Sequence, residues 1–146
     1  MSYTNLLYHI VYATKERAPL ITNLLRPRLH EYLGGIVHGL HGVPIEINGM
    51  ADRVHLLVRL GPVLSVSEFL SKLKSNSSGW AKRQTAGRFA WQARYGAFTV
   101  SESQVDYVRE YIRNQEKHHR KMSFEEEFKA LLRSHGIDFD AAHLWS

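Results

Sequence analysis

Apolar residues recur along the chain at two spacings, one typical of strands and one typical of helices. Alternating or continuous β-rich segments predict strands at residues 3–13, 43–48, 53–60 and 92–100. Apolar residues three and four apart, with their capping residues, predict helices at residues 22–40, 65–85, 101–119 and 123–134. Ser101 and Gln104 have the spacing of a capping box, which supports the start of the third helix.

The order of these elements, β-α-β-β-α-β-α-α, predicts an α+β fold of the ferredoxin-like split βαβ type, a sandwich with an antiparallel sheet and a C-terminal helical extension. We expect the helices to cover one face of the sheet and to leave the other face open for a ligand or partner. The chain has no internal repeat or linker, so we interpret residues 1–146 as one domain. Gly136 ends the last helix, and the apolar tail residues are expected to pack against the domain: Phe139, Leu144 and Trp145.

Composition and charge narrow the class of protein. The chain has 146 residues, of which 44% are hydrophobic, enough for a core without cross-links. It has no Cys, which excludes disulfides and thiolate metal sites. The N-terminus lacks a signal pattern and no apolar run approaches the ~20 residues of a membrane span, so we expect a soluble, cytoplasmic protein. The formal net charge of +5 suits a polyanionic partner.

The segment at residues 53–60 places a histidine between two arginines on one face of the sheet. Its even-numbered positions are all apolar and predict the face under the helices. Arg53, His55 and Arg59 share the opposite face, which makes His55 a candidate site residue on a central strand. A half-buried histidine with an ordinary hydrogen bond fits the same pattern.

The third predicted helix carries two tyrosines and an amide on one ridge. Tyr107, Tyr111 and Gln115 recur every four residues along the border of its apolar stripe. His118 and His119 follow within the next turn. A phenol and an amide on one ridge can share a site, but simple packing at the helix edge explains the same spacing.

The second predicted helix combines cations with small polar side chains, a mixture that lets a phosphate backbone approach. Ser and Asn are poor helix formers, which favours a functional reason for them in mid-helix. A solvated helix face is the alternative. The candidate phosphate-binding residues here are Lys72, Lys74, Ser75, Asn76, Lys82 and Arg83.

Several segments, in order, resemble the single-tyrosine HUH transposases of insertion sequences, the TnpA-like family that includes relatives associated with repeated extragenic palindromes. Residues 49–58, GMADRVHLLV, are similar to the family's HUH strand. Residues 108–115, VREYIRNQ, are similar to its nucleophile helix, where a Gln follows four residues after a Tyr. Residues 91–101 and 115–119 also look like this group, so the resemblance covers nearly the whole chain.

The resemblance implies an enzyme that binds hairpins in single-stranded DNA and cleaves and rejoins one strand. Tyr111 would attack a DNA phosphate and leave a 5′-phosphotyrosine and a free 3′-OH. His55 and Gln115 would bind a divalent metal, Mg²⁺ or Mn²⁺, that stabilises charge in the transition state. The family also implies an obligate homodimer, often with the Tyr helix of one subunit completing the site of the other, and no small-molecule cofactor. The sequence leaves open whether the site of this chain forms in cis or in trans.

Arg53 departs from the family strand, which reads His-hydrophobic-His. A guanidinium has no free lone pair and cannot ligate a metal. Three outcomes are open. Another histidine (His118, His119 or His9) completes the metal site; Arg53 contacts the phosphate and supplies part of the metal's charge; or the chain is a catalytically impaired or domesticated DNA-binding module. A small-molecule role has less support, because the sequence has no Gly-rich phosphate loop, nucleophilic Cys or paired acidic motif.

Overall fold

The computed structural model describes residues 2–145, so that Met1 and Ser146, at the ends of the predicted domain, lie outside the described residues. Its strands are β1 Leu6–Ala13, β2 Val43–Met50, β3 Arg53–Leu60 and β4 Gly96–Thr99. Its helices are α1 Leu25–Gly39, α2 Val66–Gln84, α3 Val105–Arg113, α4 Gln115–His119 and α5 Phe124–Ser134. The strands form an antiparallel sheet in the order β2-β3-β1-β4. This topology confirms the predicted ferredoxin-like α+β fold.

The first face of the sheet carries the larger core, under α1 and α2. Val54, Leu56 and Val58 of β3 have no exposed surface, as the alternation predicts. Ile10 and Tyr12 of β1 join them in one cluster with the apolar stripes of both helices. These residues pack the sheet and the two helices together in one core.

The second face is covered by α3, α4 and α5, which differs from the expectation that it would be open. At one end of the sheet this face is apolar, with Val11, Ala13 and Phe98 packed against α5 and the tail. Gly96 of β4 permits the close approach of α5, since a Cβ atom there would lie 2.8 Å from the Phe128 ring. Leu144 is buried in the same cluster, so the tail packs on the domain as predicted.

The third predicted helix is divided into α3 and α4 at Asn114, which has φ −93° and ψ 24°. The side-chain amide of Asn48, on β2, donates to the carbonyls of Ile112 and Arg113 at 3.0 and 3.1 Å. These carbonyls lie at the end of α3, where a helix leaves acceptors unsatisfied. The Asn48 side chain thus stabilises the end of α3 and the break between α3 and α4. The spacing of apolar residues along the helix does not predict this break, because it depends on a residue of β2.

The predicted and observed strands differ at their ends. β1 begins at Leu6 rather than at residue 3, because Tyr3 is 95% exposed and has no core to pack against. β4 begins at Gly96 rather than at residue 92, since the segment before it is tied instead to the loop after β1. Within residues 2–145, no helix is long and apolar enough to cross a membrane.

Candidate active site around Glu127

β1 and β3 place two histidines and an arginine on the second face of the sheet. Nε2 of His9 and Nδ1 of His55 are 2.9 Å apart, and the two rings stack with centroids 5.1 Å apart. Arg53 lies two residues before His55 on the same face. Arg53 and His55 have no exposed surface and His9 has 4%. The polar residues of this face therefore form a buried cluster under the C-terminal helices.

Tyr111 and Gln115 contact the cluster from the helices that cover the second face of the sheet. Tyr111 lies in the last turn of α3, and Gln115 is the first residue of α4. The Tyr111 ring meets the edges of the His9 and His55 rings, with centroids 6.0 and 5.9 Å apart, and stacks on His118 at 4.5 Å. Gln115 is buried and Tyr111 is half-buried. The structure thus brings Tyr111, Gln115 and His55 together, and their roles stay predictions.

The carboxylate of Glu127, on α5, joins these side chains. Its Oε1 lies 3.1 Å from both Nε2 of His55 and Nε of Arg53. Its Oε2 accepts a 2.5 Å hydrogen bond from the Tyr111 hydroxyl and a 2.9 Å hydrogen bond from Nε2 of Gln115. Only 1% of Glu127 is exposed. One buried carboxylate therefore links β3, α3, α4 and α5.

The ionisation of Glu127 and Tyr111 follows from this geometry. Burial alone would raise the pKa of the Glu127 carboxyl, but the hydrogen bonds from His55, Tyr111 and Gln115 and the charge of His55 outweigh it and hold the pKa well below its usual range. Burial, the charge of Glu127 and its hydrogen bond together raise the pKa of the Tyr111 hydroxyl, against the opposing effect of Arg53. The resting pair is a neutral phenol that donates to an ionised carboxylate.

His9 is held in its neutral form. Burial chiefly, and then the neighbouring His55, lower the pKa of His9 well below its ordinary value, and Glu127 opposes them. An ionised carboxylate only accepts, so Nε2 of His55 donates to Glu127, which leaves Nδ1 of His55 for the bond to His9. Tyr111, Glu127, His55 and His9 thus form one continuous chain of hydrogen bonds.

The donor atoms here do not fit a divalent metal. Oε1 of Gln115, the atom an amide would offer to a metal, lies 3.2 Å from Nε of Arg53 and accepts from it. Both ring nitrogens of His55 are already bonded, to His9 and to Glu127. Among residues 2–145, no three His, Cys, Asp or Glu side chains are grouped so as to hold a metal ion. The metal site at His55 and Gln115 stays a prediction.

A cavity of about 410 Å³ opens beside the Tyr111 hydroxyl, between α3 and α5. Its walls are partly apolar, and its polar groups include the Tyr111 and Glu127 pair. This size and mixture are ordinary for a ligand pocket. The half-buried phenol therefore borders open space, whereas His55 and Arg53 are not among the residues that line the cavity.

Comparison with known proteins decides the family. The family profile described as "Transposase IS200 like" matches residues 2–115, more than three-quarters of the chain. The chain belongs to the IS200-like transposase family. The match confirms the family that the sequence motifs resemble.

Two relatives from bacteria agree with this family. The ISDra2 transposase TnpA of Deinococcus radiodurans is 28% identical over 117 residues, which cover 74% of this chain and 82% of the relative. The transposase of insertion sequence element IS200 from Salmonella typhimurium is 29% identical over 118 residues, which cover 76% of this chain and 77% of the relative.

Solved structures support the fold. A transposase candidate from Deinococcus radiodurans, known from a crystal structure, superposes with a TM-score of 0.65 at 26% identity, over 78% of this chain and 93% of that one. A REP-associated tyrosine transposase bound to a REP hairpin superposes with a TM-score of 0.61 at 12% identity, over 82% of this chain and 72% of that one.

The candidate DNA-binding residues of α2 lie apart from the candidate active site. α2 covers the first face of the sheet and Tyr111 lies over the second. Nζ of Lys74 donates to the carbonyls of Gln92 and Ala93, and burial lowers the pKa of this amine to about 8. The remaining candidates of α2 are exposed, so contact with DNA on that face stays a prediction for them: Lys72, Ser75, Asn76, Lys82 and Arg83.

Two acidic residues of the site were missed by the sequence analysis. Glu127 lies beyond residue 115, where the family match ends. Its signal was a carboxylate on the apolar stripe of a helix, between Phe124 and Phe128, where a charge is expected only if it is paired. Asp52 lies in the β2–β3 turn, and its Oδ1 is 2.9 Å from Nη1 of Arg53. In the sequence, its position next to Arg53 was the one feature that pointed to it.

The predicted auxiliary residues, His118 and His119, both lie at the site. The His118 ring stacks on the Tyr111 ring, and Nδ1 of His119 lies 3.1 Å from Nη1 of Arg53.

Proposed function

We propose that this transposase binds hairpin-forming single-stranded DNA and breaks and rejoins one strand with Tyr111 as the nucleophile. The hydrogen bond from Tyr111 to Glu127 carries the proposal, because a phenol attacks a phosphate only as it gives up its proton to a base within reach. The REP-associated relative of similar fold is bound to a REP hairpin, which supports hairpin DNA as the class of ligand.

The proposed reaction is a transesterification. Oη of Tyr111 attacks the phosphorus of a phosphodiester, and the phenolic proton passes to Oε2 of Glu127, 2.5 Å away. The bond between phosphorus and the 3′ oxygen breaks, and that oxygen takes a proton from water. The products are a 5′-phosphotyrosine and a free 3′-OH. Because one phosphodiester replaces another, attack by a 3′-OH on the phosphotyrosine rejoins a strand without an energy source.

The hydrogen bonds of Glu127 set its strength as a base. At rest they keep its pKa low, which makes the carboxylate a weak proton acceptor. A DNA phosphate cannot hydrogen-bond to an ionised carboxylate, because neither group has a proton to donate. It can accept a hydrogen bond from the amide of Gln115, which donates to Glu127 at rest. Loss of that donor raises the pKa of Glu127, so arrival of the substrate would prepare the base.

Two further features of the function are proposed on the family resemblance, a homodimer and a cytoplasmic location. A divalent metal at His55 and Gln115, which the resemblance also implies, is left out of the proposed reaction, because the donor atoms of these two residues are already bonded to Arg53, His9 and Glu127. A metal held there would supply positive charge to the phosphate. Light scattering during size-exclusion chromatography would test the dimer, since one chain has a mass of 16.8 kDa.

Substitution of single tyrosines on α3 tests the nucleophile. We expect Tyr111→Phe to abolish the covalent protein–DNA band on a denaturing gel and to leave DNA binding near that of the wild type, because only the hydroxyl is removed. The substrate is a set of overlapping single-stranded oligonucleotides that tile the DNA flanking the chain's own gene. Tyr107→Phe is the matched control, since Tyr107 lies one turn earlier and is 71% exposed. An adduct retained in Tyr111→Phe but lost in Tyr107→Phe would move the nucleophile to Tyr107.

A second candidate function is DNA binding without cleavage. Arg53 favours it, because the guanidinium stands where the family strand has its first histidine and is bonded to both Gln115 and Glu127. This function predicts a shifted band on a native gel and no covalent band on a denaturing gel. Affinity for both functions falls with salt, so salt dependence does not separate them.

A further inference from the structure

Arg53 is a buried cation whose hydrogen bonding is incomplete. A guanidinium has five N–H donors. Nε of Arg53 reaches Oε1 of Gln115 and Oε1 of Glu127, and Nη1 reaches Oδ1 of Asp52 and Nδ1 of His119. Nη2 is buried and has no hydrogen-bond partner among residues 2–145. An unpaired buried donor on a charged group is costly, so two N–H bonds are left for an acceptor that is not part of this chain.

The guanidinium is close to solvent although it is buried. Asp52 and His119 contact it at Nη1, and the Asp52 side chain is 20% exposed while His119 is an exposed residue. Displacement of the His119 side chain would therefore open the Nη1 side of the guanidinium to solvent. A phosphate oxygen is the acceptor that best suits a guanidinium, because charge and fork geometry both match.

The charge balance of the site changes during the proposed reaction. At rest Arg53 faces two carboxylates, those of Glu127 and Asp52. When Glu127 takes the proton of Tyr111, it loses its charge, and Asp52 is then the charged partner that Arg53 keeps. The site becomes less negative as negative charge grows on the phosphate, which lets Arg53 stabilise that charge.

We propose that Arg53 is the permanent cation of this active site, that its Nη2 donates to an oxygen of the scissile phosphate, and that strand transfer needs no divalent metal. The inference rests on the proposed function of Tyr111. It explains why Gln115 and Glu127 hold a guanidinium at the position where the family resemblance places a metal ligand.

The first test measures metal binding, independently of activity. Mn²⁺ is titrated into the wild type and into Arg53→His by calorimetry, with thermal unfolding as the check that each variant is folded. We expect no binding heat from the wild type and a binding isotherm from Arg53→His, because imidazole adds a ligand and the cation is gone. Saturable binding of Mn²⁺ to the wild type at a site lost in His55→Ala would overturn the inference.

The second test follows the covalent adduct with the tiling oligonucleotides, in EDTA and in Mn²⁺. We expect the wild type to form the adduct equally in both, and Arg53→His to form it only in Mn²⁺. Arg53→Lys keeps the positive charge but loses the planar array of guanidinium donors. Its rate of adduct formation should fall on the order of 10²-fold, the usual effect of removing a donor to the transition state. If Arg53→Lys is unfolded, the first two proteins still decide the matter.

The outcomes separate this inference from the proposed function. A wild-type adduct that requires Mn²⁺ would overturn the inference and support the function. An adduct formed by Arg53→His in Mn²⁺, and by the wild type in neither condition, would also overturn it, since Arg53 would then disable the site. Absence of an adduct in all proteins and conditions would overturn both the role of Tyr111 and the inference that depends on it.

Discussion

Glu127 is a charged residue in a position where burial favours the neutral form, and its neighbours reverse that preference. A group whose pKa is lowered on folding stabilises the fold above its ordinary pKa, here 4.5, and this stabilisation is lost as the pH falls below that value. The folded state is therefore stabilised by the ionised carboxylate of Glu127, the form present at neutral pH. Its partner Arg53 has a second carboxylate, that of Asp52, within 2.9 Å.

Substitution of Glu127 should be costly at neutral pH and less so in acid. We expect Glu127→Gln to lower the free energy of unfolding by about 3 kcal/mol at pH 7, because Arg53 loses a buried partner. Between pH 6 and pH 3 the wild type should lose stability more steeply than the variant. Urea unfolding followed by tryptophan fluorescence measures both.

Glu125→Gln is the control for this prediction. Glu125 lies on the same helix, with its side chain 42% exposed and 3.6 Å from Lys129. Its substitution should change the free energy of unfolding by less than ~0.5 kcal/mol, as for exposed ion pairs. Equal pH dependence in the wild type and Glu127→Gln would show that Glu127 is not ionised and paired in the folded state.

At the scale of elements, α5 positions Glu127, the proposed base, and its placement depends on a close contact with β4. A capping box at Ser123 and Glu126 fixes the start of α5, and Phe124 and Phe128 fix its side toward the sheet. Glu127 lies between these two phenylalanines and so points at the polar part of the same face. The docking of α5 on the sheet therefore determines whether Tyr111 has its partner.

Gly96→Ala tests the contact between β4 and α5. The added methyl group would lie 2.8 Å from the Phe128 ring, so α5 must shift, and we expect a loss of roughly 1–3 kcal/mol in the free energy of unfolding. Gly35→Ala is the matched control, because its methyl group meets nothing within 4 Å on the exposed side of α1. That variant should gain roughly 0.5–1 kcal/mol, as alanine does in helices. Equal stability of the two variants would mean that α5 is not held tightly on β4.

The sequence predicted what is local in this fold and missed what depends on distant contacts. Strand alternation identified the core face of β3, and helical spacing placed Tyr111 and Gln115 on one ridge. The break at Asn114 depends on the Asn48 side chain of β2, which spacing within the helix cannot show. Burial of the second face depends on the docking of α5, which the sequence does not show. Glu127 was therefore not distinguished from the other acidic residues in the first turn of this helix.

At the scale of the whole molecule, one chain brings together the residues of the candidate site. Tyr111 reaches Glu127 at 2.5 Å, and the same Glu127 reaches His55 and Arg53, all within a single copy. A second copy of the chain is then not needed to bring the proposed nucleophile to its proposed base. We therefore expect a site formed in cis rather than one shared between subunits.

Mixing two inactive variants decides between these arrangements. Tyr111→Phe lacks the proposed nucleophile, and Glu127→Gln lacks the proposed base and should form the adduct roughly 10²–10⁴-fold more slowly. In a shared site, a mixed dimer would join Tyr111 of one copy with Glu127 of the other and regain adduct formation. We expect no gain over the separate variants after the mixture is unfolded and refolded together. Because each copy in the mixture keeps one defect in its own site, recovery of a large part of the wild-type adduct would contradict assembly in cis.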